Sequence, residues 1–270
     1  MNYNYEQHTW GGDSISKTMD YPRLKYDILK SVIEESRPKK LLDIGCGAGK
    51  FLATLQKEFP EIEFTGIDAS KKAIAEGKKA HPKMHFFNRN AEDTKFNDEE
   101  FDIIIMLDVL EHVRDPEKAL SEVTRILRKN GLFHTFIPCE SHSIYWLSEK
   151  ILGFHTKEQT AGHIQRFSRK TICMKISKTM EIKQKRYSFH LMGSIMDYGL
   201  FTALLNKRLA DKFWNENKFY TKQNKHAKFS TKIMNKLLET ASAVAYLESK
   251  ILIRVPILAT GIHITAKKIV

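Results

Sequence analysis

The chain has 270 residues, with 44 Lys and Arg against 32 Asp and Glu, for a formal charge of +12. That length accommodates one large domain, or one domain carrying a sizeable insertion. Its three cysteines, Cys46, Cys139 and Cys173, are odd in number and lack metal-like spacing, which argues against a disulfide framework and gives no sign of a zinc site.

Residues 1–38 read as an N-terminal arm and a first helix. Met1 to His8 is polar and has no apolar core of a signal peptide, so a cytoplasmic location is expected. Tyr3, Tyr5, Trp10, Tyr21 and Tyr26 make the arm aromatic; they either line a ligand pocket or anchor the arm to the domain. Residues 39–190 follow as an α/β core. Leu41 to Leu52 reads L-L-D-I-G-C-G-A-G-K-F-L, an apolar run ending in Gly45, Gly47 and Gly49 before a helix-compatible segment. Glycine there lets the chain turn sharply and lets a ligand approach the backbone, and the helix start offers unpaired N–H groups. Ile62 to Ile67 is a second strand closed by Asp68, placed to accept from ribose hydroxyls. A third strand, Met84 to Arg89, ends in Asn90-Ala91-Glu92-Asp93, a polar tip able to read an adenine edge. The fourth, Phe101 to Leu107, runs into Asp108-Val109-Leu110-Glu111-His112-Val113. A helix over Pro116 to Leu127, the stop signal Lys129-Asn130-Gly131 and a fifth strand over Gly131 to Ile137 come next. Continuous apolar strands alternating with helices predict a doubly wound, seven-stranded, mostly parallel sheet with its ligand at the carboxyl ends of the strands.

The series D-I-G-C-G-A-G, G-I-D-A-S, N-A-E-D, F-D-I-I-I-M-L-D-V-L-E-H-V and L-R-K-N-G resembles the class I S-adenosylmethionine-dependent methyltransferases. It is most similar to the branch holding the ubiquinone and menaquinone biosynthesis enzymes and many small-molecule methyltransferases. The match is dense from Lys39 to Pro138, and Gly162 to Ser168 resembles the family's lead into its next helix. The resemblance implies S-adenosyl-L-methionine as cofactor. Asp43, Gly45, Cys46, Gly47 and Gly49 would hold its methionine half, Asp68 its ribose, and Ala69 would pack on the adenine. Asn90 and Ala91 would meet the adenine edge, although many relatives carry Asp at the first position. Asp108 would lie near the methionine amine. Cys46 reads as a small filler of the turn. Leu107-Asp108-Val109-Leu110 stands where amide and exocyclic-amine methyltransferases of this fold carry an N-P-P-Y tetrapeptide, which points to oxygen or carbon as the methylated atom.

An oxygen nucleophile must lose a proton to a group whose pKa lies near the working pH. His112, just past the fourth strand, is the first candidate base; the other reading is a histidine that shapes the loop to Pro116. His163 is a second candidate, with His142 and His155 in the same stretch, residues 139–167, where the family builds part of its substrate cap.

The charge excess sits late in the chain. Glu181 to Val270 holds 16 Lys and Arg against 6 Asp and Glu, leaving 28 against 26 for the first 180 residues. Glu181 to Phe189 suits a sixth strand and Thr260 to Lys268 a seventh, so residues 191–258 read as a basic helical insertion before the final strand, residues 259–270. Two helix-like stretches, Ser194 to Phe219 and Phe229 to Ile253, flank a basic connector, Lys218 to Lys228. In the second, Ile233, Leu237, Leu238, Ala241, Val244, Ala245, Leu247 and Ile251 form an apolar stripe. No run of 18 apolar residues lacks a charge, Arg254 interrupting the most apolar one, so a transmembrane span is not expected. The insertion either packs on the sheet domain, or meets an anionic membrane surface or a lipid-like acceptor from the inner face of the membrane. RNA or a nucleotide-sugar is the rival acceptor for so basic a tail, and a non-catalytic, cofactor-binding partner subunit is the rival from outside the enzymes.

Overall fold

In the computed structural model the described residues are 21–139, 146, 149–151, 156–203, 206 and 229–269. The aromatic arm before Tyr21, His142, His155 and the connector Lys218 to Lys228 lie outside them.

The elements run, in chain order, α1 (Tyr21–Ser36), β1 (Lys40–Ile44), α2 (Lys50–Glu58), β2 (Glu63–Asp68), α3 (Lys71–Ala80), β3 (His85–Asn88), β4 (Phe101–Leu107), a 3₁₀ turn (Leu110–His112), α4 (Pro116–Ile126) and β5 (Leu127–Pro138). Then come α5 (Thr156–Ala161), α6 (Arg169–Ile176), β6 (Met180–Ser188), α7 (Leu191–Ala203), α8 (Phe229–Ile251) and β7 (Gly261–Lys268). One seven-stranded sheet orders them β3-β2-β1-β4-β5-β7-β6. The first five strands pair in parallel, and β7 enters antiparallel between β5 and β6.

Both faces of the sheet are covered, which is why its central strands read as unbroken apolar runs. Leu41, Leu42 and Ile44 of β1 and Ile103 to Met106 of β4 are all at most 1 % exposed. Leu42, Ile44, Ile104 and Met106 share a core with Leu120 and Val123 of α4 and Ile172 of α6. Leu41, Ile103 and Ile105 share the opposite core with Leu29 and Ile33 of α1 and Leu52 and Leu55 of α2. The order of the strands reverses at β1, between β2 and β4, and it is at the carboxyl ends beside such a point that a doubly wound sheet binds its ligand.

Two expectations need correction. The Lys129-Asn130-Gly131 signal does not separate α4 from β5, because the chain turns extended at Leu127, which already pairs with Phe101. Between the pairs Phe101–Leu127 and Ile103–Leu132, β4 advances two residues and β5 five. The excess is absorbed where Asn130 adopts φ 64°, so the turn residues form an irregularity inside one strand. The apolar stripe of α8 is split between the buried and the exposed face, with Ala245 alone of its members buried among the described side chains. Val244, Leu247 and Ile251 are exposed, whereas Ala245, Tyr246 and Ser249 are buried. Tyr246 decides this: its ring packs on Leu24 and Ile28 of α1 and its hydroxyl donates to Asp27 Oδ2 at 2.7 Å. Of the first long helix expected in the insertion, Leu191–Ala203 is helical; 204–205 and 207–219 lie outside the described residues.

Candidate active site

The glycine turn is held by β2. The N–H groups of Gly45 and Cys46 both donate to Ile67 O, at 2.8 and 3.0 Å. Gly45, Gly47 and Gly49 all adopt positive φ, 82°, 53° and 74°. A Cβ on Gly49 would stand 2.3 Å from Phe86 Cζ, and one on Gly45 2.3 Å from Val109 Cγ2, so glycine is required twice over, by conformation and by space. Cys46 is buried with its thiol pushed well up, first by burial and then by the charges of Asp43 and Asp68. An inert, protonated thiol suits a space-filling role.

Asp68 organises the loops around it. One carboxylate oxygen accepts from Gly47 N–H and the other from Ser70 N–H, each at 2.8 Å. Ser70 in turn caps α3, accepting from Ala73 N–H at 3.1 Å. The carboxylate is thereby fixed at the tip of β2, between the glycine turn and the start of α3. Asn88, which the motif reading passed over, steadies the same tip: its side-chain amide donates to the carbonyls of Asp68 and Ala69 at 2.9 and 2.8 Å. Ala69 is exposed and presents a small face beside Asp68. Asp43, at the end of β1, is 4 % exposed; burial, then the charge of Asp68, raises its carboxyl well above the usual carboxylate range.

At the β3 tip Asn90 is exposed and Ala91 buried. The Asn90 side-chain oxygen accepts from Glu92 N–H at 3.1 Å, so the group expected to meet an adenine amine is also the closure of its own turn. At the β4 tip Asp108 adopts φ 55° and its N–H donates to Phe136 O at 3.1 Å. Its carboxylate pairs with Lys25 of α1, whose ammonium also stands 4.1 Å from the Phe136 ring centroid. Lys25 carried no sequence signal, since the arm reads through its aromatics. In the structure Asp108, which the resemblance sets near the methionine amine, already pairs with a cation.

The two candidate bases come together. Backbone N–H groups of Ile164 and Gln165 donate to Glu111 O at 2.9 Å each, clasping residues 162–168 onto the 3₁₀ turn after β4. His112 and His163 then meet edge to face with centroids 4.9 Å apart. His112 Nδ1 lies 3.1 Å from Gly162 O, a carbonyl that can only accept, so Nδ1 is the nitrogen that carries the proton in that contact. Glu111 and His163 are 1 % and 7 % exposed. Sequence reasoning named the two histidines and missed that Glu111 joins them.

A family model for a methyltransferase domain matches residues 42–135, from β1 into β5. Among curated relatives, the malonyl-[acyl-carrier protein] O-methyltransferase of Halalkalibacterium halodurans is 29 % identical over 130 residues, 44 % of this chain and 48 % of that protein. The ubiquinone biosynthesis O-methyltransferase of Pelagibacter ubique is 33 % identical over 118 residues, 40 % of this chain and 48 % of its own length. The chain thus spans about half the length of these curated relatives. Among solved structures, a candidate sarcosine dimethylglycine methyltransferase from Galdieria sulphuraria superposes with a TM-score of 0.62 over 98 % of both chains at 13 % identity, a likeness of fold. Residues 42–135 are thus similar to a methyltransferase-domain family, and motif order and strand order agree on the class I methyltransferase fold.

Proposed function

We propose that this chain binds S-adenosyl-L-methionine in the crevice over β1 and β2 and transfers its methyl group to an oxygen or carbon of a small or lipid-like acceptor. The observation that carries the reading is the Asp68 carboxylate, fixed by Gly47 and Ser70 N–H groups beside three glycines with positive φ. Asp68 then accepts from ribose hydroxyls, with Ala69 and Ala91 against the adenine and Asn90 at its edge. Asp43, Gly45, Cys46, Gly47 and Gly49 enclose the methionine half, and Asp108 takes the amine, with Lys25 yielding its place. Bound there, the cofactor supplies an already activated sulfonium methyl. What remains for the protein is to orient the nucleophile, exclude water and handle its proton. His112 and His163, beside the β4 tip, are the groups assigned to that proton.

Oxygen as the methylated atom draws support from two relatives named as O-methyltransferases. A lipid-like acceptor met at an anionic membrane surface draws support from residues 191–258. Leu191, Met192, Ile195, Val244, Leu247, Ile251, Ile257 and Leu258 all expose apolar side chains there, in a tail rich in lysine. Among the described residues no helix is long and apolar enough to cross a membrane. The test is calorimetric titration with S-adenosylmethionine, with and without anionic vesicles. Asp68→Ala should abolish binding. His112→Ala should leave binding intact and lower turnover by about 100-fold, the scale of general acid–base catalysis. Wild-type protein that fails to bind the cofactor would sink the reading, and full activity in His112→Ala would remove that residue from it.

A further inference from the structure

The cluster after β4 holds more than two candidate bases. Glu111, His112 and His163 each place one ligand-type atom so that all three lie within 4.8 Å of one another. They come from two chain segments clasped together by the Ile164 and Gln165 N–H bonds to Glu111 O. The Gln165 side chain tightens the clasp, donating to the carbonyls of Val113 and Arg114 at 3.3 and 3.2 Å. Gly162 adopts φ 74° where the chain bends to bring His163 in. Two of the three side chains are buried, Glu111 at 1 % and His163 at 7 % exposure.

We propose that Glu111, His112 and His163 form a binding site for a divalent first-row cation of the zinc or manganese class. Two imidazoles and one carboxylate are a donor set that such ions accept, with bonds of about 2.0–2.2 Å. Tetrahedral donors at those lengths lie roughly 3.3–3.5 Å apart, so the cluster needs to contract by at most about 1.5 Å, within the reach of side-chain rotations. The Gly162 carbonyl at His112 Nδ1 is the kind of outer contact that a metal-bound imidazole commonly makes, with Nε2 then the ligating nitrogen in the proposed site. Cysteine spacing gave no hint of this site, since no cysteine belongs to it.

Three protein ligands leave a coordination position for an oxygen donor. Glu111 follows Asp108 by three residues, so the cluster lies at the carboxyl end of β4, the end of the sheet where the cofactor is proposed to bind. An acceptor oxygen held there would lose its proton more readily, and His112 would then act as a ligand rather than as a free base. That use of the ion rests on the proposed methyl transfer; binding of the ion does not.

The test is to strip the full chain with a chelator and titrate it with Co2+, following heat and visible absorption, then to record the X-ray absorption of the Co2+ protein. The expected result is one equivalent bound, with two imidazoles in the inner shell and binding at least tenfold weaker in His163→Gln and in Glu111→Gln. S-adenosylmethionine binding should be unchanged in both variants. Absence of stoichiometric binding, an inner shell without imidazole, or undiminished binding in folded variants would overturn the site. Should the variants fail to fold, the wild-type inner shell decides alone. Protein that binds the cofactor but no Co2+ keeps the methyl-transfer reading and loses this one; Co2+ binding without cofactor binding does the reverse.

Discussion

Asp43 lies at the end of β1, 4 % exposed, and burial together with the Asp68 charge raises its carboxyl well above the usual range. A group with a raised folded-state pKa contributes stability below its unfolded value, about 3.9 for Asp, and that contribution is lost as pH rises through the folded value. At neutral pH an ionised Asp43 is therefore a burden on the empty protein, relieved when the cationic methionine half of the proposed cofactor arrives. Functional residues often sit in such unfavourable places. Asp43→Asn should accordingly raise the melting temperature of the cofactor-free protein at pH 7.5, by an amount on the order of 1 kcal/mol, while weakening S-adenosylmethionine binding about tenfold or more. A melt and a calorimetric titration on the same preparation check both halves. A fall in both would mean that Asp43 serves the turn and not the ligand.

At the scale of elements, α4 shows how side chains fasten a helix behind the site. Asp115 caps it, accepting from the N–H groups of Glu117 and Lys118 at 3.1 and 3.0 Å, while Glu122 reaches the loop after β3. Glu122 takes two hydrogen bonds from the Arg125 guanidinium at 2.8 and 2.9 Å and accepts from both the N–H and the hydroxyl of Thr94. Arg125 foremost, with Thr94, holds the Glu122 carboxyl down to about 2. Its contribution is thus complete above the unfolded value near 4.3 and disappears as pH falls through about 2. Glu122→Gln should cost about 1.5–3 kcal/mol in urea unfolding at pH 7 and almost nothing at pH 2. An undiminished cost at pH 2 would assign the effect to packing. Elements like these were legible because their signals are local: the helix expected from Pro116 begins there, and the apolar runs at Leu41 to Ile44 and within Phe101 to Leu107 are buried strands. The same holds for the glycine turn and Asp68, which the motif spacing located before any coordinates. What escaped the sequence is set by long-range packing. Lys25 meets Asp108 across 83 positions. The buried face of α8 is anchored by Tyr246 against α1, and of its apolar stripe Ala245 is buried there while Val244, Leu247 and Ile251 face out. Glu111 joins His112 and His163 only because residues 162–168 fold back onto the turn after β4.

For the molecule as a whole, the antiparallel seam of β5 and β7 carries an unusual load of buried polarity. His134 and His263 are 0 % and 1 % exposed, with rings stacked 5.8 Å apart, and His134 Nδ1 shares a hydrogen bond with Thr265 Oγ1 at 2.9 Å. Burial first, then Arg186, lowers His134 to about 3. Burial first, followed by His134, Lys25 and Arg186, lowers His263 well below the usual range. The unfolded chain takes up a proton on each imidazole below about pH 6.5, while the folded chain refuses it down to about 3 at His134. The unfolded state therefore binds more protons in that window, and stability must fall as pH drops, by up to about 1.4 kcal/mol per pH unit for each histidine. Asp43 acts in the opposite sense, so the comparison of wild type with a His263 variant isolates the seam. Urea midpoints at pH 7.5, 6.5 and 5.5 should decline in wild type below 6.5, and the decline should be roughly halved in His263→Leu. Equal slopes would mean that His263 is charged in the folded sheet, which would require an anion in the seam beside it. In the same seam His263 pairs with Phe136, whose ring carries Lys25, the partner of Asp108, and stacks on Phe189, so the two histidines adjoin the β4 tip of the proposed site.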